Sequence, residues 1–205
     1  MSTTPKTSYH HGNLRTELME ACLRLVDEEG IGAVSLRRVA REAGVSPGAP
    51  YHHFADRAAL IAELTARGFT DLTARLRAVR AEAADPVTAL VELLEAYVEF
   101  AGRHRAYFLL MFRPELSASD KHPDVQAAGD DALAVVAEAI EDCRRAGMFA
   151  AVDSDGLVVT LWSLAHGLAA LVVDGKIDKM CLDNDIVPDE LLSKVKDTVT
   201  ALLSC

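Results

Sequence analysis

Apolar residues recur every three to four positions along most of the chain, the period of a helix with one buried stripe. Leu14, Leu18, Cys22, Leu25 and Val26 fall on one face behind Asn13, a residue type that caps helix N-termini, so a helix is predicted over 13–29. Gly30 and Gly32 stop it. Ser35 caps a short second helix whose apolar face is Leu36, Val39, Ala40 and Ala43, and Gly44 stands where such a helix closes in a left-handed turn. Ser46-Pro47 then opens a third helix, Ser as cap and Pro in the first helical position, ending near His53 and Phe54. Asp56 caps a long fourth helix, 56–82, through Leu60, Ile61, Leu64, Leu72, Leu76 and Val79.

The second half repeats the pattern with different breaks. Asp85-Pro86 starts a helix over 87–103 with Leu90, Leu93, Leu94, Tyr97, Val98 and Phe100 inward. A short apolar helix, 107–112, is stopped by Pro114, and polar 115–124 reads as a loop. Helices are predicted over 125–146, ended by Gly147, and over 153–173, whose middle is almost continuously apolar. Asp-rich 174–188 reads as a loop before an amphipathic helix over 190–203. No segment alternates with period two, so the fold class is all-α.

Composition narrows this without changing it. Half of the 205 residues are hydrophobic, enough for a core in one or two small domains. No run reaches about 18 apolar residues, so no membrane span is expected. The polar first nine residues lack the apolar centre of a secretion signal. The four cysteines form no CxxC pair and fit the reduced thiols of a cytoplasmic protein. The net charge of −10 argues against nucleic acid until its distribution is seen. Residues 1–68 carry eight basic and eight acidic side chains; residues 69–205 carry thirteen and twenty-three. Only the N-terminal part can approach phosphates without strong repulsion.

That part also holds the informative motif. From Ser35 to Phe54 the chain reads as a helix, a tight glycine turn and a second capped helix, a helix-turn-helix. Ala40 and Ala43 are small where the two helices must cross. Ser46, Pro47, Gly48 and Ala49 open the second helix, the end that meets base edges when such a helix enters the major groove. Arg37 and Ser35 flank it, while His52 and His53 at its far end suit phosphate contacts that position without specifying. Tyr51 suits either a phosphate contact or packing on the first helix. Arg57 lies in the first turn of the next helix, where backbone N–H groups favour an anion. Neighbouring His10-His11 and His52-His53 do not face one centre and have no carboxylate or thiol at ligand spacing, so neither a metal nor a cofactor is predicted.

Residues 36–54, followed by Ala55-Asp56-Arg57-Ala58-Ala59-Leu60, resemble the signature of the TetR family, and the resemblance covers 13–69. The tail from Tyr9 to Arg15 is similar to that of one branch, and Trp162-Ser163-Leu164-Ala165-His166-Gly167 resembles the Trp…His-Gly (WHG) type of TetR C-terminal domain. Many members have Lys where this chain has Arg57, whose planar fork pairs differently with phosphate. The resemblance implies a flexible tail (1–12), a helix-turn-helix DNA-binding domain (13–55), a connecting helix (56–82) and a ligand-binding and dimerisation domain (83–205). It further implies a homodimer on double-stranded operator DNA, with the last two helices pairing in a four-helix bundle, and a repressor released by a small-molecule inducer.

In that C-terminal part, Tyr97, Phe100, His104, Phe108, Met111 and Phe112 fall on helices that would surround an inducer, with Trp162 and His166 on one face of another. The same pattern also describes plain core, with His166 a satisfied buried histidine. A cavity with such walls points to a lipophilic inducer, while Arg103-His104-Arg105 would favour an anionic one. An enzyme using His166 or His104 as base lacks a nucleophile–base arrangement, a phosphate loop or an HExxH motif. A thiol-oxidation signal at Cys143 or Cys181 is the remaining alternative to a small molecule.

Overall fold

A computed structural model describes residues 14–113 and 121–203. The tail, the capping Asn13 and much of the expected 115–124 loop lie outside the described residues. Among the described residues nine α-helices follow in order: α1 (Leu14–Glu29), α2 (Leu36–Glu42), α3 (Arg57–Glu82), α4 (Pro86–Arg103), α5 (Arg105–Met111), α6 (Pro123–Arg145), α7 (Ser154–Val173), α8 (Lys176–Asn184) and α9 (Pro188–Leu203). Two 3₁₀ turns, Ile31–Ala33 and Ala49–His52, flank α2, and no strand occurs among the described residues.

Helix starts are set by side-chain caps. Ser35 Oγ accepts from the Arg38 N–H at 3.2 Å, an Asp56 carboxylate oxygen from Ala59 at 2.8 Å, and Asp85 from Val87 and Thr88 at 3.0 Å. Each bond satisfies a donor that the first helical turn leaves without a partner. Gly44 takes φ +70°, and the Val45 N–H closes the end of α2 on the Ala40 carbonyl at 2.9 Å.

Two expectations are corrected. The third helix is a 3₁₀ turn, because an α-helix begun at Ser46 would need its first i→i−4 donor from residue 50, and Pro50 has no N–H. The bonds are Ala49 N–H to Ser46 O at 3.0 Å and Tyr51 N–H to Gly48 O at 3.2 Å. The expected 174–188 loop contains α8. Gly175 breaks the chain after α7 at φ +66°, and Ile177 and Cys181, four residues apart, are buried while the aspartates face outward. By length and composition alone α7 also meets the measure of a bilayer span, as core helices of globular proteins do. Here Leu161, Ala165 and Ala169 pack into the protein core, while Val159, Leu164 and Leu171 are exposed.

The buried residues form two clusters. In the first, Leu18, Cys22 and Leu25 of α1 meet Val39 of α2, Phe54, and Leu60, Ile61 and Leu64 of α3. Each fully buried Leu or Ile contributes about 1.5–3 kcal/mol over an exposed one. The second cluster joins the later part of α3 to α4, α6, α7 and α9. α5 serves both, with Ala106 and Leu110 in the first and Phe108 and Met111 in the second. Sequence pattern had placed 107–112 wholly with the C-terminal part; packing assigns α5 to the junction.

Candidate functional site

The 3₁₀ turn hangs from two buried residues, Pro50 and Phe54, so its other side chains must face out. Ser46, Pro47, Gly48, Tyr51 and His52 are exposed, and Ala49 and His53 are half-buried. Tyr51, at 53% exposure, stands off the surface rather than packing on α1. Nothing lies within 4 Å of where a Gly48 Cβ would project, so the tip offers bare backbone to whatever approaches it.

The basic residues around this tip divide by what they already hold. Arg38 is paired with Glu29 and Arg24 with Glu42. Arg37 is exposed with no ion pair among the described residues, and so is Arg41, one turn along the same face of α2. Arg41 was missed in the sequence because only its spacing from Arg37 marks it. Ser35 Oγ is engaged in the α2 cap. Arg57, half-buried, donates from Nε to the Val34 carbonyl at 2.9 Å and from Nη2 to the Ile31 carbonyl at 3.3 Å. Two of its donors therefore tie the start of α3 to the turn that precedes α2.

A cavity of about 360 Å³ opens in the second cluster. Phe69, Leu72 and Leu76 of α3 form one wall, and Leu90, Leu93 and Tyr97 of α4 another. Met111 and Phe112 close the α5 end, and Leu161, Trp162 and Ala165 come from α7. α6 supplies Val125, Gln126, Gly129, Asp130 and Leu133. Of the residues expected at a ligand, Tyr97, Met111, Phe112 and Trp162 line it. Phe100, His104, Phe108 and His166 do not. Phe100 is buried against the exposed His104, at 4.9 Å between ring centroids, and Phe108 and His166 lie behind the wall, 5.3 Å apart. The contribution of α6 was not legible, because its lining residues are interspersed with ordinary exposed ones.

Behind the cavity, Tyr97 Oη lies 3.0 Å from His166 Nδ1, and which of the two donates follows from the His166 tautomer. Burial holds His166 below the ordinary histidine value. Burial pushes the Tyr97 hydroxyl up. Two side chains expected as core or ligand contacts are thus one hydrogen-bonded pair whose tyrosine lines the cavity.

Among the described residues the thiols are buried. Burial pushes Cys143 up to about 11, and Cys181 is buried as well. Among the described residues no cluster of three or more His, Cys, Asp or Glu could hold a metal.

Residues 18–64 match the profile of bacterial regulatory proteins of the tetR family, and residues 90–195 that of the tetracyclin repressor-like C-terminal domain. The HTH-type transcriptional repressor KstR2 of Mycobacterium tuberculosis is 36% identical over 97 residues, 47% of this chain and 48% of its own length. The chain thus spans about half the length of that curated relative. An uncharacterized HTH-type transcriptional regulator of Bacillus subtilis, YobS, is 26% identical over 91% of both chains. A solved protein of unknown function from Rhodococcus sp. RHA1 superposes with a TM-score of 0.77 at 31% identity, covering 98% of this chain and 100% of its own.

Proposed function

Because this chain belongs to the TetR family, we propose that it is a sequence-specific DNA-binding transcriptional regulator, a repressor that leaves its operator when a small molecule fills the cavity. One observation carries the reading: α3 belongs to both functional parts. Its first turns, Leu60 to Leu64, are packed into the helix-turn-helix core, and Leu72 and Leu76 are walls of the cavity. A ligand that favours one position of α3 therefore favours one position of the helix-turn-helix, and its leverage equals its preference between the two states.

In this reading residues 13–55 are the DNA-binding domain, 56–82 the connecting helix and 83–205 the ligand-binding and dimerisation domain. Ser46, Pro47, Gly48 and Ala49 face base edges in the major groove. Arg37, Arg41, Tyr51 and His52 contact phosphates, with Ser35 and His53 at the margin. The exposed stripe of α7, with Leu164 and Leu171 either side of Gly167, meets its copy in a homodimer. Among the described residues no contact explains Gly167, since nothing lies within 4 Å of where its Cβ would project. A glycine there allows two helices to approach closely. The dimer presents two tips to successive major grooves about 34–36 Å apart. Work on chromosomal DNA places the protein in the cytoplasm.

The experiment is selection of the purified protein against randomised duplex DNA. Enrichment of an inverted repeat is the expected outcome. Failure to enrich any sequence, at salt that still permits non-specific binding, would overturn the reading.

A further inference from the structure

The cavity has a chemical bias that its apolar walls alone do not reveal. None of the described residues lining it is Lys, Arg or His. Four of the linings are aromatic: Phe69, Tyr97, Phe112 and Trp162. Apart from the Trp162 indole N–H, the polar side chains that are not already engaged come from one face of α6, where Gln126 and Asp130 stand one turn apart. Asp130 is exposed at the rim and has no ion-pair partner among the described residues, in a protein whose other acidic side chains are repeatedly paired across helices. Tyr97, the polar lining residue on α4, is bonded to His166.

An anionic head would meet an unopposed carboxylate here and find no cation to replace the water it sheds. A positively charged head meets the opposite: a carboxylate at the rim and the faces of aromatic rings within. An apolar tail is accommodated by Leu72, Leu76, Leu93 and Leu133. We propose that the ligand of this cavity is a lipophilic cation, an apolar chain or ring system carrying an amine or quaternary ammonium head that is placed by Asp130. The proposal rests on the reading of the cavity as a ligand site and specifies the charge of what enters it.

The test uses a reporter the chain already contains. Trp162 is its only tryptophan and lines the cavity, so its fluorescence reports occupancy. The full-length protein is titrated, below micellar concentrations, with decyltrimethylammonium, decanol and decanoate, and thermal midpoints are read in parallel. The ammonium probe is expected to bind at least about tenfold more tightly than decanoate, the direction set by the charge argument. Asp130→Asn should bring the ammonium affinity down to that of decanol and leave decanol unchanged. Asp130→Lys should reverse the order in favour of decanoate. Both substitutions are at an exposed position, and an unchanged midpoint of the free protein verifies that they fold. Decanoate binding as tightly as the ammonium probe, or an ammonium affinity insensitive to Asp130, would overturn the charge assignment and leave the cavity as a ligand site. If none of the three probes moves either the fluorescence or the midpoint, the cavity reading itself falls.

Discussion

Arg57 shows how much a single side chain depends on its surroundings. Its place in the first turn of a helix fits an anion contact, yet Nε and Nη2 are turned to the Val34 and Ile31 carbonyls. Those bonds hold the turn before α2 against the start of α3, so the residue sets the angle between them. Arg57→Lys replaces a two-pronged donor by a point charge and should lower stability by about 1 kcal/mol, within the range for a hydrogen bond to a charged group. Operator affinity should fall in proportion while its salt dependence stays unchanged, since no phosphate contact is removed. A salt slope reduced by about one would identify Arg57 as a phosphate contact instead. His166 offers a second residue-level outcome. Burial lowers its proton affinity in the folded state, so the unfolded chain binds the proton more readily. Stability from the neutral imidazole is therefore complete above the ordinary histidine value of about 6.5 and declines as pH falls below it. Thermal midpoints between pH 7.5 and 5, read as approximate bounds on that window, should decline in the native protein. His166→Gln should flatten that part of the profile, and identical profiles would refute the assignment.

Among the elements, α5 is the shortest of those that join the two cores, and Gly68 decides how closely it sits on α3. A Cβ at Gly68 would come within 2.8 Å of Met111 Sδ and 3.0 Å of the Tyr107 ring. Met111 is a cavity wall, and its neighbour Leu110 is fully buried in the helix-turn-helix core. Gly68→Ala gains about 1 kcal/mol of helix propensity and loses about 1–3 kcal/mol to overpacking. A net loss of about 1 kcal/mol in denaturant unfolding is expected from those two magnitudes. The cavity should also change, so that ligand response is altered more than DNA binding in the ligand-free state. An unaltered ligand response with intact stability would show that α5 does not transmit. The elements themselves were legible where apolar spacing is regular and caps are strong, as at Asp56 and Asp85. α8 was missed because three turns with two buried residues, Ile177 and Cys181, carry too little periodicity to outweigh their aspartates.

For the whole molecule, charge is the governing property. The acidic excess lies entirely beyond residue 68, past the helix-turn-helix. Few cations are left for phosphates, since Arg38, Arg24 and Arg57 are engaged within the chain. With Arg37 and Arg41 from each protomer, a dimer displaces about four counterions, so log affinity against log salt should have a slope of about −4. Measured binding of the selected operator across salt checks this, and a slope steeper than about −7 would mean phosphate contacts beyond those named.

The local pattern of the chain determined its helices, its glycine turn and the helix-turn-helix, because those depend on neighbours three or four residues away. Phe54 as a buried anchor was legible for the same reason: a large apolar group at helical spacing faces inward. Only the tertiary structure decided what such groups do once inside. Whether an aromatic lines a cavity, like Phe112, or fills the space behind it, like Phe108, depends on the packing of five helices distant in sequence. The partner of Arg57, the Tyr97–His166 bond and the unopposed Asp130 have the same origin. Each is a relation between elements, set by how close-packed helices share volume, and no window of sequence contains both sides of it.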